Sequence, residues 1–233
     1  MLLALDTSTR TASVALLGGP RVIERTAEVT THDDTLLGMI DEVVRAAGAR
    51  RAELAAIAVG AGPGSYTGLR IGMATAKGLC LGLGRPLVLV SSLAAVAHAA
   101  GGDCAVVLDA GKGQAFFGLF RAGVAVSPEV VLPPSGLAAE LAARLPGAGF
   151  EVDVGAGAGA GASGALRLAG DGARLFPEAA ALGQLVHGER PHARDVGALA
   201  ALRLARGESD PLATAEPRYA AEWQPTVKSS LAR

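Results

Sequence analysis

The sequence predicts an α/β protein made of two related halves, each led by a β-hairpin. Two observations carry this. An apolar strand that runs into an aspartate and a short polar turn, then returns as a second strand, occurs twice: Leu2 to Leu5, Asp6 to Thr9 and Ala12 to Leu17, then Cys104 to Leu108, Asp109 to Gly113 and Gln114 to Phe120. Between the two hairpins, an apolar strand, a glycine turn and a helix follow one another over Leu54 to Gly78, the alternation an α/β fold requires. Half of the 233 residues are apolar, enough to fill one large core or two small ones without disulfides.

The elements can be justified in order. After the first hairpin and Gly18-Gly19-Pro20, the run Val22 to Val29 reads as a third strand, completing an antiparallel meander. Leu36, Leu37, Ile40, Val43, Val44 and Ala47 lie at helical spacing behind Asp33 and Asp34 and ahead of Gly48, which predicts a helix over Asp34 to Ala47. Leu54 to Val59 is apolar enough for a buried strand, and Gly60, Gly62, Pro63 and Gly64 then force a turn. Ser65 or Thr67 can cap the helix that follows, since a hydroxyl there accepts a bond from an unpaired first-turn amide. Pro86 to Val90 predicts a short strand, Ser91-Ser92 a cap and Leu93 to Ala99 a helix, with a unit boundary near Gly101-Gly102.

Beyond the second hairpin, Val124 to Val131 reads as a strand, and Pro133-Pro134-Ser135 introduce a helix over Gly136 to Leu145. Gly147 to Gly164 is a Gly/Ala-rich surface loop. Its Gly155, Gly157 and Ala160 satisfy a dinucleotide pattern, but no apolar helical stripe follows, so the match is compositional. Leu166 to Ala169 continues as a strand, Gly170-Asp171-Gly172 as a tight turn, and Val196 to Ala205 as a helix. From Gly207 the chain is irregular and charged, with Ala215 to Tyr219 extended before a loose end. The expected organisation is a first subdomain over 1–101, with a helix near 195–206 able to pack back on it, a second over 102–194 containing the loop 147–164, and a tail over 207–233.

Several chemistries have no sequence support. The glycine loop has no Walker A lysine, no Rossmann spacing and no GxSxG. His32, His98, His187 and His192 form no HxxxH pair, and Cys80 and Cys104 form no CxxC, so no metal site is expected and the thiols read as buried and reduced. A net charge of −1 and 3% aromatics offer neither a phosphate footprint nor a base-stacking platform. Without a basic leader or an uninterrupted apolar span, a cytoplasmic protein that does not enter a membrane is expected.

Two features stay open on the residues alone. Asp6, Thr7, Ser8 and Thr9 could cradle a phosphate and its magnesium, or serve as ordinary turn residues. Gly68, Gly72 and Ala76, four apart, give one helix face without bulk, suited either to tight packing on the chain's own sheet or to close contact with another subunit.

Leu3-Ala-Leu-Asp-Thr-Ser-Thr9 with Ser13-Val14-Ala15, Ala58 to Gly72 including Gly62-Pro63-Gly64-Ser65, Ala76-Lys-Gly78 and Val90-Ser-Ser-Leu93 resemble the TsaB (YeaZ) family. The resemblance is dense over residues 1 to about 120. It continues more thinly through Leu108-Asp109-Ala110, Gly170-Asp171-Gly172 and Glu216-Pro-Arg-Tyr219. It implies an actin-like ATPase (ASKHA, ribonuclease H-like) fold of two βββαβα-type halves. It also implies a non-catalytic subunit of the machinery that makes N6-threonylcarbamoyladenosine in tRNAs reading codons that begin with adenosine.

Such a subunit pairs with the catalytic relative TsaD, is joined by the ATPase TsaE, dimerises with itself when alone, and meets tRNA only through the complex. It carries no cofactor of its own; ATP or ADP and the metal belong to the partner subunits. The helices matching Asp34 to Ala47 and Tyr66 to Leu81 are then the partner interface, with Leu36, Leu37, Ile40, Val44, Gly68, Leu69, Gly72, Met73 and Ala76 as its residues. Asp6, Thr7, Ser8 and Thr9 become a vestigial phosphate loop, and Gly62, Pro63, Gly64 and Ser65 a structural loop. Gly111 and Gln114 depart from the family's Arg and Glu, and Tyr66 replaces its usual Phe. The competing readings are an autonomous actin-fold enzyme using ATP at Asp6 to Thr9, and a metallopeptidase-like protein.

Overall fold

The computed structural model describes residues 1–19, 21–28, 35–150 and 166–219. The chain opens with β1 (Leu2–Asp6), β2 (Thr11–Leu17) and β3 (Ile23–Glu28), an antiparallel meander in which Leu2 faces Leu17 and Asp6 faces Ser13. Next come α1 (Thr35–Ala46), a 3₁₀ turn over Arg51–Glu53, β4 (Ala56–Gly60), α2 (Tyr66–Leu83), β5 (Leu87–Val90) and α3 (Ser92–Ala100). β4 lies parallel to β1 and β5 parallel to β4, so the sheet order is β3-β2-β1-β4-β5. The three parallel strands are apolar at nearly every position because helices cover both of their faces.

The second sheet is again led by a hairpin, and the strands that extend it are short. β6 (Cys104–Gly111) and β7 (Gln114–Arg121) form its hairpin, β8 (Val124–Ala125) and β9 (Val130–Leu132) both pair with β7, and a 3₁₀ turn leads into α4 (Leu137–Ala148). β10 (Arg167–Ala169) lies parallel to β6. It is followed by the short helices α5 (Gly172–Leu175) and α6 (Pro177–Ala180), then β11 (Gln184–Leu185), parallel to β10. The helix α7 (Ala193–Ala205) is the last element among the described residues. Both sheets are mixed and open, an antiparallel hairpin extended by parallel strands.

The layers follow from which side chains are apolar. Leu36, Met39, Ile40, Val43 and Val44 of α1 pack, with Met73, Ala76 and Cys80 of α2, against one face of the first sheet. The opposite face is lined by small residues, Ala4, Ala15, Ala56 and Ala58, and takes α7 through Ala193, Val196 and Ala200. Gly197 shows how close that helix comes: a Cβ there would lie 2.3 Å from Leu17 Cδ1. α3 sits between the sheets, with Leu93, Val96 and Ala97 packed on Val106, Phe116 and Phe120 of the second. α4 covers that sheet's far side with Leu137, Leu141 and Leu145. Among the described residues no helix is long and apolar enough to cross a membrane.

Four sequence expectations are corrected. β6 runs on to Gly111, leaving only Lys112-Gly113 as the loop, and their φ angles of 53° and 71° suit a tight two-residue hairpin. The run Val124 to Val131 breaks into β8 and β9, with Pro128, which lacks an amide donor, between them. Gly170-Asp171-Gly172 opens α5 as well as turning the chain. α4 continues through Pro146 to Ala148 rather than stopping at Leu145. Most of the Gly/Ala-rich loop (151–165) and the end of the tail (220–233) lie outside the described residues, as do Asp33 and Asp34.

Candidate functional site

The first hairpin turn and the glycine loop meet, and their junction is closed by the chain itself. Asp6 ends β1 and is fully buried; its Oδ1 accepts from the Ser8 amide at 3.0 Å and the Ser8 hydroxyl at 2.8 Å, and its Oδ2 lies 3.5 Å from Ser92 Oγ at the start of α3. Burial raises its pKa to about 6, against the opposing pull of those bonds and of the His192 charge. Thr7 donates its hydroxyl to Gly68 O at 2.7 Å, and Ser8 O accepts from the Ser65 amide at 2.7 Å. Thr9, half-buried, closes the turn on itself by donating to Thr11 O and accepting from the Thr11 amide, both at 3.2 Å.

The glycines are what allow this contact. A Cβ at Gly60 would lie 1.9 Å from Asp6 Oδ2, at Gly64 2.3 Å from Ser8 O, at Gly68 2.0 Å from Thr7 O and at Gly72 2.2 Å from Thr7 Oγ1. Ser65 caps α2, accepting from the Gly68 amide, and Gly84 ends it in the left-handed conformation. Gly62, at φ 102°, joins the cis Gly62–Pro63 peptide, and its Cβ position is 2.6 Å from Arg218 O. That contact belongs to a strap formed by the chain beyond α7. Asp210 pairs with Arg203 and accepts from the Leu89 amide, Ala215 O accepts from Lys77 Nζ, the Arg218 amide donates to Ala61 O, and Tyr219 stacks on Tyr66 at 5.1 Å.

These contacts settle which way the proposed interface residues point. Leu36, Ile40 and Val44 of α1, and Leu69, Gly72, Met73 and Ala76 of α2, are buried in the chain's own core; Gly68, partly exposed, faces Thr7. Of the nine positions only Leu37 projects a large side chain into solvent, 56% exposed. α2 carries a second small stripe, Ala74, Gly78 and Gly82, on its other side. That stripe is exposed, nothing lies within 4 Å of a Cβ at Gly78 or Gly82, and Leu81 beside it is 78% exposed.

Around the junction the charges are paired. Glu24 on β3 accepts from the Arg194 amide at 3.1 Å and pairs with Arg194 Nη1 at 3.2 Å and His192 Nδ1 at 3.6 Å. Burial pushes the Glu24 carboxyl up, but His192 and Arg194 outweigh it and hold it below the ordinary range. The neighbouring Glu24 carboxylate raises His192, against its own burial. His98 Nδ1 lies 2.8 Å from Asp195 Oδ1. In the second half, burial raises the Glu129 carboxyl, which accepts from Ser91 Oγ near Arg218. The sequence marks Ser92 as part of a helix cap but gives no sign that it faces Asp6, and it offers no reason to single out Glu129, which carries no motif. Cys80 and Cys104 are buried and free, and burial raises each thiol to about 11. Among the described residues no group of three or more His, Cys, Asp or Glu side chains could hold a metal ion.

Comparison with known proteins gives this geometry a context. Residues 23–131 match the family model described as TsaD, tRNA N6-adenosine threonylcarbamoyltransferase. The Haemophilus influenzae protein named tRNA threonylcarbamoyladenosine biosynthesis protein TsaB is 46% identical over 101 residues, 42% of this chain and 42% of that protein. Its Escherichia coli namesake is 37% identical over 100 residues, 42% of this chain and 43% of that protein. The chain thus spans under half the length of these curated relatives in the matched region. A solved structure, YeaZ from Pseudomonas aeruginosa, is similar throughout: 32% identity and a TM-score of 0.76 over 94% of this chain and 98% of that one.

Proposed function

From the premise that the chain belongs to the TsaB (YeaZ) family, we propose that it is a non-catalytic subunit pairing with a TsaD-type protein for threonylcarbamoyl transfer to adenosine in tRNA. The observation that carries this reading is the closed junction. In an actin-like ATPase the turn after the first strand faces the nucleotide; here Asp6, Thr7 and Ser8 are buried beneath the glycine loop and α2, their polar atoms bonded within the chain. The glycines that make room for this contact leave no space for a methyl group at Gly60, Gly64, Gly68 or Gly72. An autonomous ATP-dependent enzyme would need Asp6 to reach its ligand.

The subunit's work is then architectural, carried by the surface that α1 and α2 turn away from the sheet. Leu37 and Gly38 on α1, and Ala74, Gly78, Leu81 and Gly82 on α2, are exposed and small or apolar. Each helix-interior glycine costs on the order of 1 kcal/mol relative to alanine. Gly78 and Gly82 meet nothing in this chain that requires the lack of a side chain, which supports close approach by another molecule there. This stripe takes the place of Gly68, Gly72 and Ala76 as the partner face. TsaD would occupy it in the complex and a second copy of the chain in its absence, with TsaE joining the pair.

Two further parts of the reading concern organisation. The two sheets are related halves of βββαβα type, a relation supported by their shared hairpin-plus-parallel layout. The subdomains are 1–101 with the returning α7, and 102–194; the segment from 207 to 219 serves as the strap.

The test is light scattering on a size-exclusion column for this protein alone and mixed with the TsaD of its own organism. A one-to-one complex that replaces a self-dimer, and threonylcarbamoyl transfer that depends on adding this chain, are the expected results. Two unmixed peaks together with ATP turnover by the isolated chain would overturn the reading.

A further inference from the structure

The chain crosses from the second sheet back to the first over residues 189–195, and Arg190 stands at the crossing. Its Nη1 donates to Thr11 Oγ1 at 3.0 Å, at the start of β2 just past the first hairpin turn. Its Nε lies 3.7 Å from Asp171 Oδ2, at the start of α5. The other oxygen of Asp171 accepts from the Asp109 amide at 3.0 Å, close to the end of β6, and Asp109 Oδ1 accepts from the Gly111 amide at 2.8 Å. One guanidinium therefore links the first hairpin turn to the second through a single carboxylate.

We propose that Arg190 is a latch that locks the two hairpin turns together and so fixes the angle between the two halves. Each end of the latch is anchored in its own sheet: Thr11 is paired with Glu28 across β2 and β3, and Asp171 is held by the backbone of β6. Elsewhere the halves are joined by the apolar layer of α3 on the second sheet, by Ser91 Oγ on Glu129, and by Arg167 on the carbonyls of Ala100 and Gly101; none of these touches either hairpin turn. A planar, permanently charged fork adds a directional link at the hairpin turns themselves, because its donors must reach both anchors at once. Nearby Arg174 offers a contrast. It pairs with Glu189, the residue next to Arg190, at 2.8 Å, but does not reach the first half.

The experiment measures the angle directly. Spin labels are placed on Val22→Cys in the first half and Leu175→Cys in the second, both exposed in the parent. Distance distributions are then compared for the parent, Arg190→Ala, Arg190→Lys and Arg174→Ala in the full chain. The latch predicts a single narrow distance in the parent and in Arg174→Ala, a widened or shifted distribution in Arg190→Ala, and an intermediate one in Arg190→Lys. Amide exchange gives a second readout: Arg190→Ala should speed exchange at Asp109 by about three- to tenfold relative to Ile57 in the first sheet, in line with the loss of one or two partly exposed polar contacts. Should Arg190→Ala not fold, Thr11→Val removes the accepting hydroxyl at similar volume and should reproduce the widening. An unchanged distance in whichever of these variants folds, or equal widening in Arg174→Ala, overturns the proposal.

Discussion

Replacing Asp6 with Asn should stabilise this protein at neutral pH, and the size of the effect follows from burial. The carboxyl is raised from 3.8 to about 6 with no bonded cation to offset desolvation. Below about pH 4 the group is protonated in both the folded and the unfolded chain and costs nothing. Between about pH 4 and 6 the unfolded chain releases the proton while the folded chain keeps it, so stability falls as pH rises, by about 1.4 kcal/mol per unit. Above pH 6 the full penalty of about 3 kcal/mol is in place. Asn keeps an oxygen for the Ser8 amide and hydroxyl, and its NH₂ can donate to Ser92 Oγ, so the substitution removes the charge and retains the bonds. Urea unfolding followed by circular dichroism, at pH steps from 4 to 8, is the assay. Asp6→Asn should match the parent near pH 4 and exceed it by about 1–3 kcal/mol at pH 7.5, with an unchanged denaturant slope. A parent whose stability does not fall between pH 4 and 6, or a variant less stable than the parent at pH 7.5, would refute the argument.

The remaining predictions concern the glycines, the strap and a second titration. Gly68→Ala should lower stability by roughly 2–4 kcal/mol, because its methyl group meets the Thr7 carbonyl, and thermal melting should show the loss. Gly78→Leu points into open space, so melting should move by no more than about 1 kcal/mol, while light scattering should show the complex with TsaD weakened. Arg203→Ala leaves the Asp210 carboxylate without its ion pair and should cost about 1–3 kcal/mol, read as faster amide exchange at Leu89. His192, raised by Glu24, contributes stability that is complete below its ordinary pKa near 6.5 and is lost as pH rises through its folded value. His192→Ala should therefore flatten the stability profile above pH 6.5, measured by the same urea titration.

The legibility of this fold in its sequence follows the physics of each signal. Strands buried on both faces, such as Leu54 to Val59, and the stripe of α1 announce themselves because water exclusion dictates residue type along the whole element. Direction is different. The spacing of Gly68, Gly72 and Ala76 defines a face but not whether that face looks in or out, and α2 has a second small stripe at Ala74, Gly78 and Gly82. Only the contact of the first stripe with Thr7 distinguishes them. The hairpin turn was legible as a turn, whereas the burial of Asp6 at its base was not. Long-range partners such as Glu129 on Ser91, or Arg190 on Thr11, leave no local trace, since each residue is unremarkable among its own neighbours in the chain.

The place of α7 has a consequence for how the chain is made. The face of the first sheet formed by Leu2, Ala4, Ala15, Ala56, Ala58 and Val88 is covered by a helix that begins only at Ala193. On a ribosome, at roughly 5–20 residues per second, the whole second half must be synthesised before that helix emerges. For several seconds the nascent first sheet therefore holds an uncovered apolar surface, and its small alanines limit how strongly anything else can adhere to it.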